Sequence, residues 1–328
     1  TITGTDSVGF VSVSLASSAT TRAAAWVATP AGSDAATLFV QVGAAPPVAV
    51  VDSAGPASTD PETPPKIRFA PDGSLDLLYG VAKKVAGEPW PFTSLRFRRS
   101  ADGGRTWSAP VLVSDDGDFG RYRNDHAFTI ATDGTRYVAW LDQRGKNITL
   151  AFARSTDQGA TWSRTIFVDT EGPCECCRSA LATSADGRVF LAWRKKLPGG
   201  IRDIVVASSA DQGETWSAPV RAHADDWEID GCPDAGPSLL ADGDGTLHLA
   251  WWTGKPGAAG VRYARSPDGR QWGEPIPLGV GQASSPAHVQ LARIGPDSLI
   301  AVWEDGTLQG KPVVMAFSAT NGASFTPA

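Results

Sequence analysis

No stretch of the 328 residues is apolar for long enough to cross a membrane as a helix, because the longest apolar segments have strand length and are broken by Gly, Pro or charge. The sequence also has no basic excess, with 29 Lys and Arg against 35 Asp and Glu. No run of basic residues could follow a phosphate backbone. We therefore expect neither membrane insertion nor a nucleic-acid partner. The 42% hydrophobic and 20% charged residues are typical of a globular protein.

Sulfur-containing residues are scarce, with one Met and four Cys. The single Met is Met315, so Thr1 is not a translation start, and we expect a processed or trimmed chain. A removed secretion signal is the simpler explanation, which predicts a secreted or periplasmic protein. Three of the cysteines, Cys174, Cys176 and Cys177, fall within four residues, whereas Cys232 lies far along the chain.

Glycine and proline, in contrast, are abundant, and the 35 Gly and 24 Pro residues favour many turns over long helices. A repeated box stands out among them: S-A-D-G-G-R-T-W at 100–107, S-T-D-Q-G-A-T-W at 155–162 and S-A-D-Q-G-E-T-W at 209–216. Two decayed copies follow at 266–272 and 318–325. An Asp that accepts backbone N–H bonds and a Gly that tolerates positive φ suit a tight turn anchored by the Trp.

A second repeat is an apolar, strand-like segment that ends in an aromatic residue. It occurs six times, ending at Trp26, Tyr79, Trp140, Trp193, Trp251 and Trp303. In four of these units an Asp-Gly turn precedes the segment, at Asp72, Asp133, Asp186 and Asp244. Each unit therefore consists of four short strands, here called a to d, with the box between c and d. Four antiparallel strands repeated six times predict an all-β, six-bladed β-propeller. The expected blades are 8–60, 61–115, 122–170, 175–222, 233–280 and 284–328.

The box resembles the Asp-box, or BNR-repeat, motif, and the six units resemble the six-bladed sialidase-type propeller over essentially the whole chain. The resemblance implies that the boxes lie on one face and that any functional site lies on the opposite face, formed by the d-to-a connections and the b-to-c loops. Asp-box propellers include exo-sialidases, other glycosidases, receptors and assembly factors. The resemblance thus predicts the fold and leaves the activity, including whether the chain is an enzyme, open.

The cysteines lie in two d-to-a connections that are expected to be neighbours, 172–178 before the fourth blade and 230–234 before the fifth. Cys232 can therefore approach the C-E-C-C cluster. One interpretation is structural, with a disulfide from Cys232 to the cluster and a second bridge or a vicinal pair. The other is a soft-metal site, copper before zinc, or a redox site, in which His288 or His126 adds an imidazole ligand. The metal hypothesis requires at least two reduced cysteines.

Three tryptophans fit neither repeat: Trp90 in a b-to-c loop, Trp227 in a d-to-a connection and Trp252 at the start of a b-to-c loop. All three are expected on the face opposite the boxes. They are candidates for a ligand platform, with loop packing as the alternative. Glu304 follows a b strand and is expected at the same rim, as a further ligand-binding candidate.

Alternation along strand a predicts a polar, mixed-charge mouth of the central channel. The candidate catalytic residues there are Asp125, Arg178 and Arg68, with Asp142 just after a b strand; a wet channel without function is the alternative. The sialidase resemblance implies three substrate-binding arginines, an Asp acid/base and a Tyr nucleophile activated by Glu. Here the K-I-R-F string at 66–69 lacks the family's Pro, and Arg68 and Arg178 match only two arginines.

The third arginine has no evident position, since Gly236 and His288 stand where it is expected. Tyr122 is the one tyrosine that the repeats do not account for and is the candidate nucleophile. The sequence therefore predicts that the chain is not a working exo-sialidase. It favours a site built on the thiols, with a small molecule, a glycan or a metal ion as the partner. A sialidase-like glycoside hydrolase and a non-catalytic binding propeller with structural disulfides are the alternatives.

Overall fold

The structure, a computed structural model, describes residues 9–29, 35–280, 287–310 and 312–326. These residues form 23 strands, and their single helical element is a 3-10 turn at Pro198–Gly200. No helix in the described ranges combines the length and the apolar character that membrane crossing requires. The chain divides into two compact units, residues 1–167 and 168–328.

The first unit contains three sheets. The first sheet consists of β1 (Gly9–Ser17), β2 (Arg22–Thr29), β3 (Thr37–Val42) and β4 (Val48–Val50). The second consists of β5 (Lys66–Phe69), β6 (Leu75–Lys83), β7 (Phe92–Ser100) and β8 (Val111–Leu112). The third consists of β9 (Arg123–Ile130), β10 (Arg136–Asp142), β11 (Thr149–Ser155) and β12 (Ile166–Asp169), the last of which spans the boundary of the unit.

The second unit contains three further sheets. The fourth sheet consists of β13 (Ala180–Thr183), β14 (Val189–Lys196), β15 (Arg202–Ser209) and β16 (Val220–Arg221). The fifth consists of β17 (Ser238–Ala241), β18 (Leu247–Thr253), β19 (Gly260–Ser266) and β20 (Ile276–Val280). The sixth has three strands among the described residues: β21 (Gln290–Gly295), β22 (Ser298–Glu304) and β23 (Val313–Ser318).

Within each sheet the strands lie side by side in sequence order, and consecutive strands pair antiparallel, as β5, β6, β7 and β8 do. Four-stranded antiparallel sheets repeated along a chain are the blades of a propeller. The six-bladed all-β fold predicted from the two repeats is therefore confirmed. The blade limits drawn from the sequence stay a prediction.

The Asp-box turns hold their shape through a small hydrogen-bond network. In the second box, Ser155 Oγ donates to Asp157 Oδ1 at 2.7 Å, and Thr161 Oγ1 donates to Asp157 Oδ2 at 2.6 Å. The backbone N–H of Thr161 also donates to Asp157 Oδ1, at 2.9 Å. The hydrogen bonds from Thr161 are the main cause that lowers the pKa of the Asp157 carboxyl. The boxes at 100–107 and 209–216 repeat the two side-chain bonds.

The core of the blades contains two columns of apolar side chains, one at the ends of the b strands and one in the a strands. The b-strand aromatics are buried: Trp26, Tyr79, Trp140, Trp193, Trp251 and Trp303. The strand-a column is buried as well: Ile67, Phe128, Leu181, Leu239 and Leu291. Burial of such side chains is the main stabilising contribution in a fold of short strands.

Candidate functional site

The segment 172–178, which leads into β13, is fixed to the end of β14 by backbone hydrogen bonds. Cys174 N donates to Arg194 O, and Lys196 N donates to Gly172 O, both at 2.8 Å. The segment 230–236, which leads into β17, passes directly against the first. A Cβ at Gly236 would lie 2.0 Å from the carbonyl oxygen of Arg178, so only glycine allows this approach. The same close contact excludes an arginine at position 236, which is one of the positions where the sialidase resemblance would place the third substrate-binding arginine.

This approach brings Cys232 to the cluster. Cys176 and Cys232 form a disulfide across 56 residues of sequence, with their Cα atoms 6.2 Å apart. Cys174 and Cys177 are free thiols, and both are buried. The prediction that all four cysteines come together is therefore confirmed, and so is the presence of a disulfide from Cys232 to the cluster.

The sulfur atoms are close enough for chemistry among them. The Sγ atoms of Cys174, Cys176 and Cys177 all lie within 4.8 Å of one another. The Sγ atoms of Cys174 and Cys176 are 3.7 Å apart. Cys176, Cys232 and Asp234 form a second group whose ligand atoms lie within 4.8 Å of one another. Cys232 is exposed, whereas Cys174 and Cys177 are 1% and 2% exposed.

Positive charge faces the buried thiols. Arg202 Nη1 lies 3.3 Å from Cys174 Sγ and 3.6 Å from Glu175 Oε2, and Lys196 pairs with the same Glu175. The guanidinium of Arg194 is buried and donates to the carbonyls of Ala235, Arg202 and Trp252. These two arginines make the surroundings of the cysteines favourable for an anion.

The two free thiols titrate differently. The hydrogen bond from Cys177 is the largest cause that lowers the pKa of Cys174, and the charges of Arg194 and Arg202 add to it. Burial raises the pKa of Cys177, and the neighbouring Cys174 raises it further. Cys174 is therefore the sulfur that ionises first, with Cys177 as the hydrogen-bond donor to it.

His288 lies beside the Cys232 segment but is held by other partners. Its Nε2 donates to the carbonyl of Asp234 at 2.9 Å, and its Nδ1 is 3.4 Å from Glu304 Oε1. The His288 backbone N–H also donates to Glu304 Oε2 at 2.8 Å. Burial alone would raise the pKa of Glu304, but the hydrogen bonds from His288 lower it to about 2. Among the described residues, His288 belongs to neither group of close sulfur and oxygen atoms, and its role as a metal ligand stays a prediction.

Two of the three candidate platform tryptophans require a correction. Trp227 and Trp252 are 3% and 1% exposed and meet edge to face, with ring centroids 5.1 Å apart. The guanidinium of Arg194 lies over the Trp227 ring at 5.2 Å. Both rings therefore pack in the core of the second unit and have no open face for a ligand. Trp90, in the first unit, is 74% exposed.

The remaining candidates divide between the units. Arg178 is half-buried in the second unit, and Arg68 is half-buried in the first, with its Nη1 donating to the carbonyl of Ile67 at 2.9 Å. Burial lowers the pKa of Arg68. Asp142 is buried and accepts a hydrogen bond from Trp140 Nε1 at 2.8 Å, so its observed role is to satisfy a core indole.

Asp125 and His126 are adjacent, buried residues of β9. Asp125 has a positive φ of 54°, and its Oδ2 accepts a hydrogen bond from Tyr122 Oη at 2.7 Å. Burial raises the pKa of Tyr122, and the charge of Asp125 raises it further. The structure thus joins Tyr122 to Asp125, as a phenol bound to a carboxylate. The catalytic role of Asp125 and the metal role of His126 stay predictions.

Residues 46–292 match the family model of the BNR repeat-like domain. The chain belongs to the BNR repeat-like family. A sialidase from Micromonospora viridifaciens is 30% identical to this BNR repeat-like protein in an alignment 183 residues long, which covers 47% of this chain and 28% of the sialidase. The chain therefore spans less than a third of that relative.

Solved structures agree with the fold of this BNR repeat-like protein. An intramolecular trans-sialidase from Ruminococcus gnavus, in complex with oseltamivir carboxylate, superposes with a TM-score of 0.59 at 12% identity, over 90% of each chain. An ulvan lyase superposes with a TM-score of 0.60 at 12% identity, over 96% of this chain and 81% of the lyase. At such identities the likeness concerns the fold alone.

The cysteine site predicted from the sequence of this BNR repeat-like protein includes neither Arg202 nor Arg194. Arg202 begins β15, so no motif marks it. Arg194 follows the b-strand Trp193, which is a signal that could have placed it beside the 172–178 segment. Its burial follows from three backbone carbonyls that lie far apart in sequence.

Proposed function

We propose that this chain is an exported protein whose second unit binds one soft metal ion, copper as Cu(I), between Cys174 and Cys177. The observation that carries the proposal is the pair of free, buried thiols whose Sγ atoms lie within 4.8 Å of each other. With metal–sulfur bonds of about 2.3 Å, two thiolates on one ion are separated by at most roughly 4.6 Å. The observed separation suits a shared ion with little movement of the backbone.

The number and type of ligands favour Cu(I) over zinc. Structural zinc takes four ligands, and the Cys176–Cys232 disulfide leaves only two thiols in the cluster. Thiolates are soft ligands that select Cu(I). Two thiolates with one Cu(I) ion carry a net negative charge, which is costly in a buried site unless it is compensated. Arg202, 3.3 Å from Cys174 Sγ, and the buried Arg194 supply that compensation.

Anaerobic titration with Cu(I) held by a chromophoric chelator tests the proposal, on protein that has not been treated with a reductant. We expect the chain to withdraw a single ion from the chelator. Cys174→Ser and Cys177→Ser should each weaken binding by more than about tenfold, because each removes a direct ligand. Met315→Leu removes the only sulfur outside the four cysteines and should bind as the unchanged protein does. Equal binding by all three variants would refute the site.

A sialidase-like glycoside hydrolase is the second candidate. It is favoured by the contact of Tyr122 Oη with Asp125 Oδ2 at 2.7 Å, together with the sialidase among the relatives. A phenol and a carboxylate in contact are the groups that retaining sialic-acid chemistry uses, with Arg68, of the same unit, as a candidate carboxylate-binding residue. On this proposal the partner is a glycan rather than a metal ion.

Release of the fluorophore from a fluorogenic sialoside separates the two candidates. The metal proposal expects no release above the buffer background. Release that disappears in both Tyr122→Phe and Arg68→Ala, and persists in Cys174→Ser, would establish the glycosidase instead. Glu228→Ala serves as a surface control, because Glu228 is exposed and outside the Tyr122–Asp125 pair.

A further inference from the structure

We propose that the disulfide of this chain migrates: the Cys174 sulfur attacks Cys176 Sγ, a Cys174–Cys176 disulfide forms, and Cys232 leaves as a free thiolate. This goes beyond the proposed metal site and does not rest on it, since no ion takes part. Such exchange needs a thiolate within reach of a disulfide sulfur.

The geometry places the reacting atoms together. Cys174 is a free cysteine, and its Sγ lies 3.7 Å from Cys176 Sγ, which already forms the bond to Cys232. Arg202 Nη1 lies 3.3 Å from Cys174 Sγ, so a positive charge stands beside the attacking sulfur. Cys177 is the poorer nucleophile for Cys176, because bonding between sequence neighbours closes a small strained ring.

The reaction balances without an outside oxidant. One S–S bond, Cys176–Cys232, breaks, and one S–S bond, Cys174–Cys176, forms. The electron pair that Cys174 brings as a thiolate ends on Cys232, which then takes a proton from water. The number of disulfides and of free thiols in the chain is unchanged.

The consequence is a change in what the surface offers. Before exchange, the two free thiols are buried; afterwards Cys232, in an exposed position, carries one of them. The 56-residue link between the segments 172–178 and 230–236 is replaced by a link between residues two apart. Exchange therefore removes the covalent link between the two segments and exposes a nucleophilic sulfur to solvent. It also removes Cys174 from any shared metal ion.

Trapping with N-ethylmaleimide tests the migration on the complete, metal-free chain without a reductant. The native protein is incubated with the reagent and digested with trypsin, and its peptides are mapped by mass spectrometry. The tryptic peptide 165–178 contains the three clustered cysteines and no internal basic residue. We expect Cys232 to be alkylated in molecules whose 165–178 peptide carries an internal disulfide between Cys174 and Cys176.

Cys174→Ser should abolish the labelling of Cys232, whereas Cys177→Ser should leave it in place. If Cys174→Ser fails to fold, the wild-type peptide map still decides, because the internal Cys174–Cys176 disulfide is the product itself. The proposal is overturned if Cys232 stays bonded to Cys176 while only Cys174 and Cys177 become labelled. It is also overturned if Cys232 is labelled equally fast in folded Cys174→Ser.

Discussion

At the scale of single residues, four of the six b-strand aromatics donate a hydrogen bond to a carboxylate. The pairs are Tyr79 with Asp52 at 2.6 Å, Trp140 with Asp142 at 2.8 Å, Trp193 with Asp169 at 2.9 Å and Trp251 with Asp225 at 2.7 Å. In three of the four, the carboxylate lies at or just after the last strand of the preceding sheet. A buried N–H or O–H needs an acceptor, so the aromatic column depends on these acids as well as on apolar contact.

Asp225→Ala should destabilise the chain by about 1–3 kcal/mol, because it leaves the buried indole N–H of Trp251 without its acceptor. Asp225→Asn should recover part of that loss, since its amide oxygen can still accept. Urea unfolding measured by fluorescence gives the free energies. Glu228→Ala, at an exposed position nearby, is the control. Equal midpoints for Asp225→Ala and Glu228→Ala would contradict the expectation.

At the scale of the element, the box turn is shaped to sit on a neighbouring sheet. Gly159 has a φ of 84°, and a Cβ there would lie 1.9 Å from a ring carbon of Phe97 in β7. The ring of Trp162, from the same box, meets Phe97 edge to face at 5.5 Å. The glycine of the box therefore does two things: it permits the positive φ, and it lets the turn lie directly on the aromatic ring.

These two contributions can be separated with a pair of variants. Gly187 also has a φ of 84°, but a Cβ there meets nothing within 4 Å, so Gly187→Ala should lose only the roughly 1–2 kcal/mol of a left-handed conformation. Gly159→Ala should lose that amount plus the cost of displacing the Phe97 ring. Thermal unfolding by circular dichroism measures both. Gly159→Ala should have a clearly lower melting temperature than Gly187→Ala. The reverse order would show that the contact with the Phe97 ring does not contribute to stability.

At the scale of the whole molecule, the Cys176–Cys232 disulfide is the only covalent cross-link among the described residues. It closes a loop of 56 residues, which in the chain-entropy account restricts the unfolded state more than the folded one. Without this bond, the stability of the blades rests on apolar burial and hydrogen bonds alone.

Reduction of the native chain with dithiothreitol should lower the free energy of unfolding by about 2–4 kcal/mol, as loss of a loop of this size implies. Urea titrations with and without the reductant measure the difference. In the double variant with Cys176→Ser and Cys232→Ser, the reductant should have no effect on the midpoint. An equal shift in the double variant would assign the effect to something other than this bond.

The sequence by itself determined the architecture. Six aromatics, five boxes and their even spacing predict six sheets of short antiparallel strands, because both patterns record local requirements: an acid and a glycine for the turn, and an aromatic for the core. The grouping of the four cysteines followed in the same way, since their segments lead into neighbouring blades. The turn and core patterns can be read from the sequence because each is satisfied within a few residues.

Only the tertiary structure decided which sulfurs pair and what surrounds them. Cys174, Cys176 and Cys177 are almost equally far from Cys232 in sequence, so spacing does not select among them. In the fold Cys176 pairs with Cys232, whereas Cys174, whose N–H donates to Arg194 O, is buried. The burial of Trp227 and Trp252 also depends on contacts between distant strands. Spacing along a chain gives the number of residues between two positions but not the direction in which their side chains point. Which sulfur atoms can react with one another depends on that direction.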